Sequence, residues 1–368
     1  IITSSQALFH REFPDGRRVT RCDLVERVLE VENPKTGETS QVAFAYSSDG
    51  AHVMGVAAAP DGTVCGGTAF PMRFFAYDPR TDAWTNRACY GQWNTVARYR
   101  ERFFVGGYTG GFLLEWDPSR EWVPTAKDDP RGNPRFLTEV APAINRPHDL
   151  LHLTDGRTVV LAGTPGYGYT GGGLLVWDRV AESQVLYEHT DLIPQHAPFS
   201  LLELSEGQLL IGTTVGPGTG GEQKAELAEL LVLDLAAREV VWHAPVLEGV
   251  SEYTDLWPAL DGMVYGFADR RRFFVFDPAK RQLVYERDVE PEFGLTCYQQ
   301  GPRIFVRGPE SEIFALFARG IAQVQPEAPY QITLRAASPV PIQAGGDLLD
   351  GRIYFASGSH VYSWEVPQ

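Results

Sequence analysis

The chain repeats itself, and an internal repeat restricts the accessible folds more tightly than any other feature of a sequence. Each unit is a short apolar strand, an acidic residue followed by Gly, a second strand, a loop, and a third strand ending in Asp, often with Pro. The units read HVMGVAAAPDGTVCGGT with RFFAYDP, NTVARYRERFFVGGYTGG with FLLEWDP, HDLLHLTDGRTVVLAGT with GLLVWD, and FSLLELSEGQLLIGTT with ELLVLD. They continue as YTDLWPALDGMVYGFAD with RFFVFDP, a degenerate LTCYQQGPRIFVRG with EIFALF, and QAGGDLLDGRIYFASG with HVYSWEV. The pairs Asp61-Gly62, Asp155-Gly156, Glu206-Gly207, Asp261-Gly262 and Asp350-Gly351 suit tight hairpins, because Gly reaches positive φ without steric cost. Asp78-Pro79, Asp117-Pro118 and Asp277-Pro278 open a second turn, after which a fourth strand follows, such as AWTNR or QLVYE. Units of four antiparallel strands at a period of about 40–55 residues are the blades of a β-propeller. No segment sustains a helical period of 3.6 residues.

The expected fold is therefore all-β: one domain over residues 1–368, with seven four-stranded blades in 51–368 and an N-terminal segment in 1–50. The seventh unit lacks its last strand. Val28–Glu32 and Gln41–Phe44, joined by the turn at Asn33–Gly37, offer a replacement. An N-terminal strand that completes the last blade would close the ring and remove an open sheet edge.

Composition narrows the function. With 32 Lys+Arg against 47 Asp+Glu the formal charge is −15, which excludes a broad phosphate-binding face and hence nucleic acid as the partner. No run approaches the roughly 18 apolar residues of a membrane span, and a monomer without membrane attachment is expected. The four cysteines, Cys22, Cys65, Cys89 and Cys297, show no C-x-x-C spacing and read as free thiols. The chain opens on Ile1 rather than Met. Together with the glycan-directed reading below, this points to a secreted or periplasmic protein.

The repeat is stretched in one place. From the acidic turn to the third-strand Asp the offset is 17 residues in blade 1 (Asp61 to Asp78) and 16 in blades 2 and 5 (Glu101 to Asp117, Asp261 to Asp277). It grows to 23 in blade 3 (Asp155 to Asp178) and 28 in blade 4 (Glu206 to Asp234). The extra residues, TPGYGYTGG and TVGPGTGGEQKAELA, lie between second and third strands, on the face where the innermost strands begin. Loops held by a rigid scaffold carry function more often than the scaffold does.

Residues expected around that mouth are His52, Asn94, His148, Tyr253 and Thr296 at the strand starts. Gln92, Arg146, His196 and Glu252 lie just ahead, and Arg73, Tyr108, Tyr167, Tyr169, Lys224, Asp269 and Arg270 on the facing loops. Cationic and aromatic side chains around one opening of an acidic protein predict an anionic ligand, or a sugar that stacks on the rings. No cofactor is required. A divalent ion held in the central channel by histidines with Gln92 or Gln195 is conceivable, though no local spacing points to it. His10, His152, His189 and His243 read as structural.

The seven-bladed pattern lacks the Gly-His signature of Trp-Asp repeats, despite Trp116-Asp117 and Trp177-Asp178. It also lacks the kelch pattern. In its funnel of His, Tyr and Arg the chain resembles the seven-bladed propeller lyases and rhamnosidases that act on uronic-acid-containing glycans. That resemblance implies β-elimination from a uronate. His148, or His52 or His196, would take the C5 proton, and Tyr167 or Tyr169 would protonate the leaving oxygen. Arg146 or Arg270 would neutralise the carboxylate, with Asn94 and Gln92 assisting. Arg73, Tyr108, Tyr253 and Lys224 would contact the saccharide. Two other readings compete with it. A glycoside hydrolase would draw on Asp149, Glu252, Asp255, Asp269 or Asp347. A non-catalytic propeller would bind glycan or protein, marked by an exposed apolar rim.

Overall fold

The structure, a computed structural model, describes residues 12–23, 26–45, 50–205, 207–298, 301 and 303–367. It divides into two compact units, Ile1–Gly50 and Ala51–Gln368. His10 and the turn residue Glu206 lie outside the described residues.

In the first unit, Arg18–Asp23, Val28–Asn33 and Glu38–Ala43 form an antiparallel sheet in that order. The central strand has partners on both sides, from Arg18↔Glu32 on one to Asn33↔Glu38 on the other. Its ladder groups are spent within this small sheet. Val28–Asn33 therefore has no free edge with which to complete the last blade, residues 41–43 lie in the edge strand of the same small sheet, and the last blade has three strands among the described residues.

The second unit contains seven sheets. Blade 1 is His52–Val53 with Ala57–Ala58, then Val64–Ala69, Arg73–Asp78 and Ala83–Ala88; blade 2 is Gln92–Tyr99, Arg102–Tyr108, Phe112–Trp116 and Arg135–Glu139. Blade 3 is Arg146–His152, Thr158–Thr164, Gly173–Asp178 and Ser183–Glu188; blade 4 is Ala197–Ser205, Gln208–Thr214, Leu230–Asp234 and Glu239–Ala244. Blade 5 is Tyr253–Pro258, Val264–Ala268, Arg272–Asp277 and Gln282–Asp288; blade 6 is Phe305–Arg307, Ile313–Phe317, Gly320–Val324 and Ile332–Ala337. Blade 7 is Ala344–Leu349, Arg352–Ser357 and His360–Glu365.

The sheets stand side by side, and the apolar clusters lie between them. Val160, Leu174 and Tyr187 of blade 3 pack on Leu201, Leu209 and Ile211 of blade 4. Because both faces of a blade are covered, the second strands are apolar at successive positions rather than alternating: Val159, Val160, Leu161 and Ala162 are all fully buried. The ring closes the same way, with Val53, Val56 and Phe75 of blade 1 packed against Ala344, Tyr354 and Ala356 of blade 7. Two backbone bonds support that seam, Val53 N–H to Gly358 O and Val56 N–H to Gly345 O, both 2.9 Å.

Blade 6 departs from the expected pattern. Thr296 does not begin an innermost strand; it makes one isolated bridge to Phe317. Phe305–Arg307 is the edge strand instead. Cys297 N–H reaches Leu316 O while Leu316 N–H reaches Ile304 O, so two short segments share a single partner strand.

Three aspartates sew the inner strands together. Asp149 accepts the N–H of Leu150 (2.8 Å) and of Leu201 in the next blade (2.7 Å). Asp255 accepts Leu256 N–H (2.9 Å) and Ile304 N–H (3.0 Å). Asp347 accepts Leu348 N–H (2.9 Å) and, across the closing seam, Ala58 N–H (3.1 Å). Each follows a bulge in its strand. Three of the carboxylates considered for hydrolysis, Asp149, Asp255 and Asp347, are thus committed to backbone donors, one blade to the next. All four cysteines are free thiols, with Cys65 and Cys297 buried.

Candidate functional site on the loop face

The first strand of each blade runs away from one face and the second returns to it. First-strand starts, second-strand ends and the loops that follow therefore share that face. The two stretched loops, residues 165–172 and 215–229, occupy it side by side and are locked together. Gly168 N–H donates to Thr219 O and Gly218 N–H to Tyr169 O, both 3.0 Å. The Thr170 hydroxyl donates to Glu222 O. The contact is close enough to require glycine, since a Cβ on Gly218 would stand 2.0 Å from Gly166 O.

His196 ties the same loops from beneath. Its Nε2 is 2.9 Å from Leu227 O and its Nδ1 3.0 Å from Pro194 O, while its backbone oxygen accepts Gly172 N–H. The ring is buried, and both nitrogens are occupied by carbonyls.

The loops hold Tyr167 and Tyr169 in the open, each 56% exposed. The hydroxyls of Tyr167 and Tyr108 are 2.5 Å apart. The Arg146 guanidinium lies 4.9 Å from the Tyr167 ring centre and 5.1 Å from that of Tyr108, within cation–π range. Asn145, buried beside Arg146 in the chain, accepts Gly110 N–H (2.9 Å) and fixes the turn after Tyr108. Three predicted residues therefore meet over blades 2 and 3, Tyr108, Arg146 and Tyr167, with Tyr169 exposed on the same loop as Tyr167.

Of the other predicted residues, Gln92 and His148 lie close by but are buried, and the rest are taken up in other contacts or stand on other blades. His148 is buried, stacked on Phe199 with ring centres 4.1 Å apart, and its Nε2 is 3.1 Å from the Thr164 hydroxyl. Burial, with the Arg146 charge adding, pushes its pKa down to about 3. A base that needs a proton-accepting nitrogen open to substrate is not present there. His52 is exposed on blade 1. Gln92 and Asn94 are buried and bonded to each other at 3.0 Å. Arg73 is held by Asn86 of its own blade. Lys224 is exposed on the blade 4 loop. Tyr253 is fully buried, its hydroxyl accepting Val246 and Leu247 N–H at 3.1 and 3.0 Å, and burial pushes its pKa up to about 12. It braces a loop and has no surface to offer a saccharide.

Arg270 belongs to a second cluster, on blades 5 and 6. It donates to Thr296 O (2.9 Å) and lies 4.5 Å from the Tyr298 ring centre. Nearby Glu252 accepts the Thr254 hydroxyl (2.9 Å), and burial raises its pKa to about 7. Asp269 is taken up by Ser251 and by Glu252 N–H.

Between the aspartate braces the structure shows a cavity of about 480 Å³, lined by Asp149, Asp255, Arg303, Arg307 and Trp257 among others. Burial pushes Asp149 up to about 6; burial and the Asp149 charge push Asp255 up to about 8. Arg303 reaches from blade 6 to Asp347 (3.0 Å) and to Val96 O (3.1 Å). Sequence reasoning named Asp149, Asp255 and Asp347 as separate hydrolytic candidates and missed Arg303 and the connection between them, although the Asp-Leu dipeptide recurs at 149–150, 255–256 and 347–348. Among the described residues no group of three His, Cys, Asp or Glu is arranged to hold a metal.

The chain is thus a β-propeller with an aromatic loop face. It is similar to the β-propeller domain of Myceliophteria thermophila Cps50 (Swd1), at a TM-score of 0.60 and 14% identity over 86% of this chain and 97% of that one. The WD40 propeller domain of Doa1 gives 0.58 and 13% over 86% and 93%. BamB from Moraxella catarrhalis gives 0.52 and 14% over 96% and 94%. No protein-family model and no curated protein matches the sequence. At these identities the likeness shows the fold alone.

Proposed function

We propose that this propeller is a non-catalytic binding module that docks a protein partner on the loop face over blades 2 to 4. The observation that carries the reading is the pair Tyr167 and Tyr169, half-exposed on a loop pinned to its neighbour by backbone hydrogen bonds. Rigid, exposed tyrosines bury large area at little entropic cost, and with Arg they dominate binding hot spots. Phe70 (66% exposed) and Leu227 (38%) extend the apolar surface along the same face. The printed names of the structures compared above describe propeller domains and BamB, and none describes a uronate lyase. The burial of His148 and His196, with His148 Nε2 on the Thr164 hydroxyl and both His196 nitrogens against carbonyls, also weighs against a role for them as a base.

The test is affinity capture from the organism's own extract with wild type and a Tyr167→Ala/Tyr169→Ala variant. A protein retained by wild type and lost by the variant is expected. A parallel incubation with uronic-acid glycans should give no rise in ultraviolet absorbance. An unsaturated product would overturn the reading in favour of a lyase.

A further inference from the structure

The docking reading leaves open what the partner presents, and Arg146 bears on that question. The chain carries 47 acidic residues against 32 basic ones, and several of its partly buried arginines are matched with carboxylates. Arg135 and Arg179 share Glu115, Arg272 meets Glu286, and Arg303 meets Asp347. Among the described residues Arg270 lacks a carboxylate partner but donates to Thr296 O; Arg146 has neither. Among the described residues its guanidinium has two tyrosine rings beside it and no carboxylate within ion-pair distance. A guanidinium stacked on aromatic rings keeps its in-plane N–H donors free, and that fork matches a carboxylate. The clamp is held in advance by the Tyr108–Tyr167 hydroxyl contact at 2.5 Å and by Asn145 on Gly110.

We propose that Arg146 receives one carboxylate of a docked peptide segment, while neighbouring apolar residues of that segment rest on Tyr167 and Tyr169. This inference depends on the docking reading. The net charge of −15 disfavours a polyacidic segment. The partner sequence is therefore a single Asp, Glu or C-terminal carboxylate among neutral or basic residues.

A displayed library of random dodecapeptides, panned against the full chain, provides the test. Selected peptides should carry one acidic group at a fixed position and a neutral or positive net charge. Changing that residue from Asp to Asn should weaken binding about tenfold. Arg146→Gln should weaken the Asp peptide equally and the Asn peptide no further, and Arg146→Lys should recover part of the loss. Because half of this cycle is made on the peptide, it does not depend on the stability of the protein variants. Peptides that need Tyr167 and Tyr169 but bind Arg146→Gln as tightly as wild type would overturn the role of Arg146 and leave the docking face standing. Failure to select any peptide sensitive to Tyr167→Ala/Tyr169→Ala would overturn both. A uronate trisaccharide that binds through Arg146, with no peptide doing so, would replace the peptide by a glycan.

Discussion

Burial keeps the His148 imidazole neutral. Its pKa lies near 3 because the charged form would lose hydration between two sheets with Arg146 close by. Its proton NMR resonances should therefore stay fixed from pH 8 to about 4.5, a range in which an unperturbed histidine with pKa about 6.5 titrates fully. A titration midpoint near 6.5 would return His148 to the list of available bases. The residue was misleading in sequence for a definable reason. It sits in a bulge between Pro147 and Asp149, where the register shifts, and such a shift changes which face each side chain takes. Tyr253, placed just before the equivalent bulge at Asp255, was misread for the same reason. Repeat position places a residue near the mouth but does not register the bulge, whose mark in the sequence is the Asp-Leu that follows it. Arg146, Tyr108 and Tyr167 lie at strand ends or on loops, outside those bulges, and their meeting followed from repeat position alone.

At the level of elements, the stretched loops work as a pair. Each closes on the other through backbone groups, so damage to one should loosen both. Gly218→Ala places a methyl where Gly166 O already stands, 2.0 Å away. One loop must move, and Gly168 N–H and Tyr169 O lose their partners. The expected outcome is faster amide exchange and proteolytic cleavage within 165–172, with blade strands unaffected and partner affinity reduced alongside. Unchanged exchange in 165–172 would mean the loops order themselves independently. The lengths and common face of these loops were readable from the repeat, since an offset of 23 or 28 against 16 or 17 localises the insertion. Their mutual lock was not, because backbone-to-backbone bonds select only for small residues at close approaches. The reverse holds for the closing blade. A missing fourth strand was visible in the sequence, but Val28–Asn33, one of the two strands offered to supply it, is paired on both edges by Arg18–Asp23 and Glu38–Ala43.

Across the whole ring, stability should carry the imprint of the acids at its centre. Asp255 accepts two backbone donors, which favours its charged form, yet burial and the neighbouring Asp149 outweigh them and raise its pKa to about 8. An unfolded Asp has released its proton above about pH 3.9, so the native state binds the extra proton between there and pH 8. Stability must then fall as pH rises through this window, and level off once Asp255 ionises in both states. Other groups overlap below pH 7. Asp149 (about 6) and Glu252 (about 7) act with the same sign, while His148, neutral in the fold, opposes them below about pH 6.5. Between pH 7 and 8, below the range of the buried thiols, Asp255 is the dominant contributor. One proton over that interval corresponds to about 1 kcal/mol, or about 2 °C in Tm for a domain of this size. Calorimetry at constant ionic strength should record that decline in the wild type. Asp255→Asn should melt lower throughout, because an amide oxygen accepts only on one side of the brace, and its Tm should lose most of the slope from pH 7 to 8, keeping only the smaller share of Glu252. If the variant keeps the wild-type slope, the proton resides on another group and the central acids do not govern the pH response of the ring.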